Sequence, residues 1–250
     1  REFIKQTSTI AAASALAGIA LPQVHAAEHN TIQLALVGCG GRGTGAVVDA
    51  FSVKSGPVKL VAMADVFEAR LNSSFDSLKR AFAAEVEVPK DRQFVGLDAY
   101  QHAMDALRPG DVVILATPPA FRWVHFQYAI AKGLNVFMEK PVTTDGPTSK
   151  RMLALGAESV KKNLKVGVGL MCRHCEARQQ LFEAVKEGKT GDITFMRAYR
   201  MHPVAVFYLS PPKPPGLSEL MYQIQRFHAY LWASGGAFSD FYIHNIDECC

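Results

Sequence analysis

The chain has 250 residues, of which 49% are hydrophobic and 20% charged, and its formal net charge at pH 7 is +4. This length and composition allow a buried core in one large domain or two small ones. No run of Lys or Arg exceeds two residues, which excludes the basic stripe that nucleic acid binding requires, so we expect no nucleic acid partner.

Residues 1–27 differ in composition from the rest of the chain. The polar, basic REFIKQTS is followed by the small, weakly apolar TIAAASALAGIAL and by a small-x-small site at Val24 and Ala26. This order is typical of a secretory signal, and residues 1–5 are similar to the second half of a twin-arginine motif. We expect an exported, periplasmic or extracellular protein whose chain begins within its signal. A disordered terminus or an amphipathic helix is the alternative.

That segment is too short and too rich in Ala and Gly for a membrane span, so no membrane insertion is expected. The five cysteines are scattered and odd in number, which does not suggest a disulfide framework. Cys172 and Cys175 have the spacing of metal ligands, but the adjacent Cys249 and Cys250 suit a tetrahedral site poorly. We therefore expect no metal site.

Short apolar runs alternate with helical patterns from residue 32 onward. Four near-continuous apolar runs predict strands buried on both faces of a parallel sheet, at 32–37, 58–64, 111–117 and 134–138. Helices are predicted between and after them, at about 42–54, 67–84, 97–107 and 120–132. Repeated βα units predict an α/β fold, and we assign residues 31–160 to a Rossmann-type dinucleotide-binding domain with a parallel sheet.

The pattern changes from about Lys165. KVGVGL and DITFMRAYRM predict strands, a helix is predicted near 176–187, and YLSPPKPPGLSEL is a Pro-rich loop. Two strands and a helical tail cannot cover a sheet face. We therefore assign residues 165–250 to the incomplete start of an α+β open-sheet substrate domain.

The segment GCGGRG joins the first predicted strand to the first helix. Gly38, Gly40 and Gly43 have the GxGxxG spacing in the strand–turn–helix context that a dinucleotide fingerprint requires. The helix N-terminus offers unpaired N–H groups to a pyrophosphate. Gly41 and Arg42 lie in the same turn, where Arg42 can add a charge-assisted contact. A flexible glycine turn without a ligand is the alternative.

Asp65 ends the second predicted strand, 22 residues after Gly43. A carboxylate at this position can bind the adenosine ribose hydroxyls and repel a 2′-phosphate, which favours NAD over NADP. Thr117 and Pro118 follow the third strand at the carboxyl edge of the sheet, where ligands lie in such folds. We expect them to line the nicotinamide half of the site.

Several short motifs stand in the same order as in a known family. They are GCGGRG, ATPP, a His at 125, Glu139-Lys140-Pro141 and GGAFSDFYIHNID at 235–247. Together they resemble the glucose-fructose oxidoreductase/inositol dehydrogenase (Gfo/Idh/MocA) family over essentially the whole chain after the signal. The resemblance implies a Rossmann domain joined to an open-sheet domain, and hydride transfer between a nicotinamide and a sugar or polyol.

The HNID segment carries candidate acid–base groups. On a helix, Asp240, His244 and Asp247 would share one face. His244 can take a hydroxyl proton while Asp240 orients it, and Lys140 at a strand end can stabilise alkoxide charge. The resemblance implies that Lys140, Asp240 and His244 are the catalytic residues and contact substrate, and that Pro141 is the family's often cis proline.

Other candidates have two interpretations each. Glu139, with Lys140, is expected to contact the cofactor or fix the backbone rather than act as an acid or base. His125 either contacts the cofactor or caps the sheet, and Arg173 either reaches the substrate or lies at the surface. Four aromatic side chains form either a sugar-stacking wall or part of the core: Tyr222, Phe227, Tyr230 and Trp232.

These features predict an NAD-dependent oxidoreductase that transfers hydride between a nicotinamide and a hydroxyl carbon of a sugar, polyol or glycoside. The alternatives are an NAD-dependent glycoside hydrolase that oxidises its sugar transiently, and a non-catalytic nucleotide- or sugar-binding protein. Members of the resembling family continue beyond the HNID segment. We therefore expect a chain truncated at both ends, from an enzyme that is a homo-oligomer when full length.

Overall fold

The fold is taken from a computed structural model that describes residues 31–201 and 211–250. These residues belong to one compact unit. The proposed signal, residues 1–27, lies outside the described residues. Within the described ranges, no helix has the length and apolar character needed to cross a membrane.

Parallel strands form a sheet with the order β3-β2-β1-β4-β5-β6. The strands are β1 Ile32–Val37, β2 Val58–Asp65, β3 Gln93–Val95, β4 Val112–Leu115, β5 Asn135–Met138 and β6 Val166–Val168. The four strands predicted before residue 140 are thereby confirmed, with ends that differ by at most two residues. The strand order reverses beside β1, between β2 and β4, and this is the position at which doubly wound sheets open a crevice for a ligand.

The helices connect and follow these strands. They are α1 Gly41–Phe51, α2 Glu68–Ala81, α3 Ala99–Asp105, α4 Arg122–Ala131, α5 Gly146–Lys161, α6 Glu176–Lys186, α7 Glu219–Gln225, α8 Leu231–Ser234 and α9 Ile243–Cys249. At the start of helix α5, the Asp145 carboxylate accepts the Thr148 N–H at 2.7 Å. This N-cap stabilises the helix because it pairs an N–H that has no partner within the helix. A π-helical turn, Phe238–Tyr242, precedes α9.

The core lies on both faces of the sheet. Ala35 and Val37 of β1 pack with side chains of α3, α4 and α5, whereas Leu34 and Leu36 pack with those of α1 and α2. Side chains of a strand alternate between faces, and here both faces are covered. This explains why β1 is a near-continuous apolar run, interrupted only by Gln33, rather than an alternating one.

The predicted strand KVGVGL exists but belongs to a different sheet from the one expected. Val166–Val168 pairs in parallel with β5, so it is the last strand of the Rossmann-type sheet rather than the first of a second domain. Helix α5 carries the chain back along the sheet, which places β6 beside β5. The division of the chain into two domains stays a prediction.

The strand predicted for DITFMRAYRM is wrong. Residues 192–201 have no regular secondary structure, and Ile193, Phe195 and Met196 are exposed. An alternating pattern supplies side-chain periodicity, but a strand also needs a neighbour to pair its backbone. Among residues 31–201 and 211–250, no strand pairs with this segment. The helix predicted near 176–187 is confirmed as α6.

Candidate functional site

A cavity of about 1010 Å³ opens where the strand order reverses. One side is formed by the β1–α1 turn, the ends of β2 and β4, and the segment after β5. The other side includes Ile224, Phe227 and His228, and Arg70 of α2 donates to the Gln225 carbonyl at 3.2 Å. The cavity therefore lies between the carboxyl edge of the sheet and the C-terminal helices.

The glycine turn fits a phosphate cradle. Gly38 has a φ of +98°, and a Cβ there would lie 2.7 Å from the Ala116 carbonyl carbon. A Cβ on Gly43 would lie 1.9 Å from the Gly38 oxygen, so only glycine permits this approach of helix to turn. At Gly40 and Gly41 a Cβ would meet nothing within 4 Å. That open space at the start of α1 is where a pyrophosphate would approach bare backbone N–H groups.

Asp65 is fixed at the edge of the same cavity. One carboxylate oxygen accepts the Cys39 N–H at 2.7 Å, and the other accepts the Phe67 N–H at 2.9 Å. Cys39 is buried, and burial raises the pKa of its thiol well above the usual value, so this cysteine is not a nucleophile. The carboxylate is therefore held in a defined orientation at the edge of the cavity.

Arg42 and Glu139 are joined by an ion pair. Arg42 Nη2 lies 2.5 Å from Glu139 Oε1, with side-chain exposures of 67% and 8%. The hydrogen bond that Arg42 donates to this carboxylate raises the pKa of Arg42. Arg42 thus spans from the glycine turn to the end of β5, where it pairs with Glu139. The expected role of Glu139 toward the cofactor or the backbone stays a prediction.

His125 lines the cavity and is mostly buried. Its Nδ1 lies 3.1 Å from Thr117 Oγ1, and its ring packs 4.3 Å from the Tyr100 ring. Burial, followed by the charge of Arg122, lowers the pKa of His125 to about 3. The imidazole is therefore neutral at physiological pH, and it fixes the Thr117 side chain. Pro118 lies in the same stretch of the cavity wall.

Arg122 is a site residue that sequence analysis missed. It is 1% exposed, and it donates to the Thr117 carbonyl at 2.6 Å and to the Glu139 carbonyl. Burial lowers its pKa to about 10, so it remains charged. The guanidinium thus joins the segments that follow β4 and β5. Its only sequence signal is an arginine among the apolar residues that begin α4.

Lys140 and Asp240 meet at the cavity although they are 100 residues apart. Lys140 Nζ lies 3.1 Å from Asp240 Oδ1 and 2.6 Å from the Asp240 carbonyl oxygen. The Lys140–Pro141 peptide bond is cis. A third group, His228, has Nε2 3.6 Å from Asp240 Oδ2. The sequence predicted the lysine and the aspartate, but not this histidine.

His244 is close to this group but does not line the cavity. It is 9% exposed, and its Nδ1 is buried with no hydrogen-bond partner among the described residues. Burial and then the charge of Lys140 lower the pKa of His244. Asp240 lies in a π-helical turn, where five residues separate bonded groups, so the expected α-helical face does not continue from Asp240 to His244.

Arg173 does not line the cavity. It binds Asp247 at 2.6 Å with a side chain that is 57% exposed, and its contact with a substrate stays a prediction. Of the four aromatic candidates, only Phe227 lines the cavity. Within the described ranges, no three His, Cys, Asp or Glu side chains are arranged to hold a metal ion.

Three features define a Rossmann-type dinucleotide-binding protein: a parallel sheet whose strand order reverses beside β1, the glycine turn, and the anchored Asp65. The model of the Gfo/Idh/MocA family, described as an oxidoreductase family with an NAD-binding Rossmann fold, matches residues 32–170. The chain belongs to this family. The resemblance inferred from GCGGRG, ATPP and EKP is thereby confirmed.

Curated relatives match the N-terminal part of the fold. An inositol 2-dehydrogenase from Leifsonia xyli is 33% identical over 121 residues, which are 48% of this chain and 34% of that protein. A dTDP-3,4-didehydro-2,6-dideoxy-alpha-D-glucose 3-reductase from Actinomadura kijaniata is 28% identical over 54% of this chain and 35% of that protein. The chain aligns with about a third of the length of these relatives.

Among solved structures, the scyllo-inositol dehydrogenase from Lactobacillus casei with bound NAD(H) and scyllo-inositol is similar. It has a TM-score of 0.62 and 25% identity, over 88% of this chain and 55% of that one. The likeness extends beyond the residues that the family model matches. The chain corresponds to about half of that protein.

Proposed function

We propose that this protein binds NAD and transfers hydride between the cofactor and a hydroxyl carbon of a polyol or sugar. The observation that carries the proposal is that one cavity is bordered by the glycine turn, by Asp65 and by the Lys140–Asp240 pair. A dinucleotide cradle and a charged hydrogen-bonding pair thus face the same space. The named activities of the inositol dehydrogenase relatives support this substrate class.

The residues of the cradle fit NAD. Gly40 and Gly41 leave open space over the start of α1. The Asp65 carboxylate, anchored at the cavity edge, would bind the ribose hydroxyls and repel a 2′-phosphate. Thr117 and Pro118 border the other half of the cavity. When bound, NAD⁺ supplies the acceptor for the hydride.

The chemistry at the substrate belongs to side chains of this chain. The Lys140 ammonium, held 3.1 Å from Asp240, can donate to the reacting oxygen and stabilise its developing negative charge. Asp240 orients the same oxygen. His244, whose lowered pKa keeps it neutral near pH 7, is the proton acceptor implied by the family resemblance.

The proposal is tested by variants of Lys140 in the purified protein. Nicotinamide reduction is followed by absorbance with a panel of inositols, sugars and glycosides. We expect K140M to retain NAD binding, measured by fluorescence quenching, and to lose roughly 100-fold in kcat, because a charged donor to the reacting oxygen is removed. The exposed Lys150 of α5 provides the control, and K150M should keep wild-type activity.

Three results would contradict the proposal in different ways. Release of an aglycone without net NADH would identify the glycoside hydrolase. Binding of NAD without turnover of any compound, and with no difference between K140M and wild type, would identify a non-catalytic binding protein. Failure to bind NAD would remove the cofactor assignment itself.

We also propose that the protein is exported by the twin-arginine pathway and assembles as a homo-oligomer. Support for export comes from the composition of residues 1–27 alone. Cell fractionation tests export: a protein confined to the cytoplasm would contradict it. Size-exclusion chromatography with light scattering tests the assembly, and a monomer would contradict it.

A further inference from the structure

Asp240 is shared by two basic side chains. Its Oδ1 lies 3.1 Å from Lys140 Nζ, and its Oδ2 lies 3.6 Å from His228 Nε2. His228 lies in a single turn of 3₁₀-helix, Phe227–Ala229, between α7 and α8. The carboxylate thus bridges an ammonium and an imidazole that come from distant parts of the chain.

These three side chains differ in their access to solvent. Side-chain exposure is 11% for Asp240, 20% for Lys140 and 32% for His228. All three line the cavity, whereas His244 is not among the lining residues. His228 is therefore a cavity-lining histidine that is next to Asp240 and also partly exposed to solvent.

Oxidation of an alcohol needs a route by which a proton leaves the cavity for solvent. The two electrons of the C–H bond leave with hydrogen as hydride to the oxidised nicotinamide, the C=O bond forms, and the O–H proton is released. One proton must therefore leave the cavity in each turnover. Of the three groups at this end of the cavity, His228 has the most exposed side chain and can pass that proton to solvent.

We propose that His228 is a further acid–base residue of this site, which takes up beside Asp240 the proton that the first acceptor has removed from the substrate hydroxyl and passes it to solvent. This inference rests on the proposed oxidoreductase function. The neutral ring accepts the proton at Nε2, and the imidazolium then faces Asp240 Oδ2, which stabilises it. In the reverse direction His228 returns the proton to that first acceptor.

Burial, together with the positive charges nearby, keeps His228 neutral before the reaction. Burial lowers the pKa of His228 most, Asp240 raises it, and Lys140, Arg226 and Arg70 lower it. Arg70 faces His228 from α2, Lys140 from the segment after β5, and Asp240 from the π-helical turn. Because the pKa of His228 lies below its ordinary value of 6.5, the ring is neutral at pH 7 and can accept a proton. It loses this ability as the pH falls through its pKa.

The first test compares H228Q with wild type in oxidation of a polyol such as scyllo-inositol. We expect kcat/KM at neutral pH to fall on the order of 100-fold, and the acidic limb of the pH profile to change, because the base is removed. H228A should regain part of its activity when imidazole is added. The matched control is H102Q, since His102 is exposed on α3 and does not line the cavity.

The outcomes separate this inference from the proposed function. An active wild type with an H228Q variant of equal rate and identical pH profile would overturn the role of His228 and leave the oxidoreductase intact. A wild type that oxidises no polyol would overturn the proposed function and the inference with it. NAD binding and the thermal midpoint of each variant identify losses that arise from misfolding.

A second test does not depend on activity. Titration of the His228 ring by NMR should give a lower pKa in D240N, because a negative charge near the imidazolium is lost. The pKa should rise in K140M, because a positive charge is lost. If neither variant changes the His228 pKa, the three groups do not interact and the relay is excluded.

Discussion

Asp65 illustrates how a single side chain serves both the fold and the site. Its two oxygens accept N–H groups of Cys39 and Phe67, at 2.7 and 2.9 Å, from the turns that follow β1 and β2. The carboxylate therefore joins these turns at the edge of the cavity. Because the Asp65 carboxylate is held at both oxygens, it has little freedom to move away from the 2′-phosphate of NADP if that phosphate were placed next to it.

Replacement of Asp65 by Asn tests its role in cofactor choice. We expect D65N to bind NAD roughly 10-fold more weakly, because a charge-assisted hydrogen bond to the ribose is lost. Binding of NADP should not weaken in parallel, because the repulsion of its 2′-phosphate is removed. Titration calorimetry with both cofactors gives the ratio of their affinities.

The control for this variant is D91N, which changes an exposed aspartate outside the cavity lining. D91N should leave both affinities unchanged. An unaltered ratio of NAD to NADP affinity in D65N would show that Asp65 does not contact the ribose. The thermal midpoint of D65N separates a loss of binding from a loss of folding.

At the scale of elements, the close packing of helix α1 against the end of β1 sets the conformation of the turn between them. Gly43 sits in the first turn of α1, and its α-carbon faces the Gly38 carbonyl so closely that no side chain fits. This contact brings the start of the helix to the end of the strand. The proposed pyrophosphate site therefore depends on close contact between Gly38 and Gly43, not on flexibility of the loop.

G43A should destabilise the fold. The new methyl group would lie 1.9 Å from a backbone oxygen, and the turn can relieve this overlap only by moving, at a cost of about 1–3 kcal/mol. NAD binding should weaken as well, because the helix start moves from the strand. Urea denaturation gives the free energy of unfolding, and fluorescence quenching gives the affinity.

The matched substitution is G156A in α5. A Cβ at Gly156 would meet nothing within 4 Å, so alanine should stabilise the helix by about 0.5–1 kcal/mol. Equal free energies of unfolding for G43A and G156A would contradict the steric explanation. The pair thus distinguishes a local clash from a general effect of replacing glycine.

At the scale of the whole molecule, a buried neutral histidine makes stability depend on pH. His125 has a pKa of about 3 in the folded protein because it is buried, and about 6.5 when unfolded. Below pH 6.5 the unfolded chain binds a proton that the folded chain excludes. Stability therefore falls as the pH decreases from about 6.5 toward 3, by at most about 1.4 kcal/mol per pH unit from this residue.

H125N should reduce that acid sensitivity, because asparagine takes up no proton in this range. We expect H125N to be less stable than wild type at pH 7, since ring packing against Tyr100 is lost, but to lose less stability between pH 7 and about 4. Urea denaturation at several pH values measures both effects. H102N, at an exposed histidine, should keep the wild-type dependence, and an equal slope for H125N would exclude His125 as the source.

The sequence by itself determined the elements whose signals are local. Strands β1, β2, β4 and β5, the GxGxxG turn and Asp65 could be predicted because side-chain periodicity, turn glycines and a strand-end carboxylate are written within short segments. The EKP motif and the segment GGAFSDFYIHNID at 235–247 likewise pointed to Lys140 and Asp240 as candidates. Each of these features can be recognised from residues that lie close together in the sequence.

Only the tertiary structure decided which segments meet. Backbone pairing assigned β6 to the Rossmann-type sheet and gave the alternating residues 192–201 no strand partner among the described residues. Burial placed Arg122 between two strand ends, and packing brought His228 rather than His244 to the cavity wall. The physical reason is that hydrogen-bond partners and solvent access are set by residues far apart in sequence, about which a local pattern carries no information.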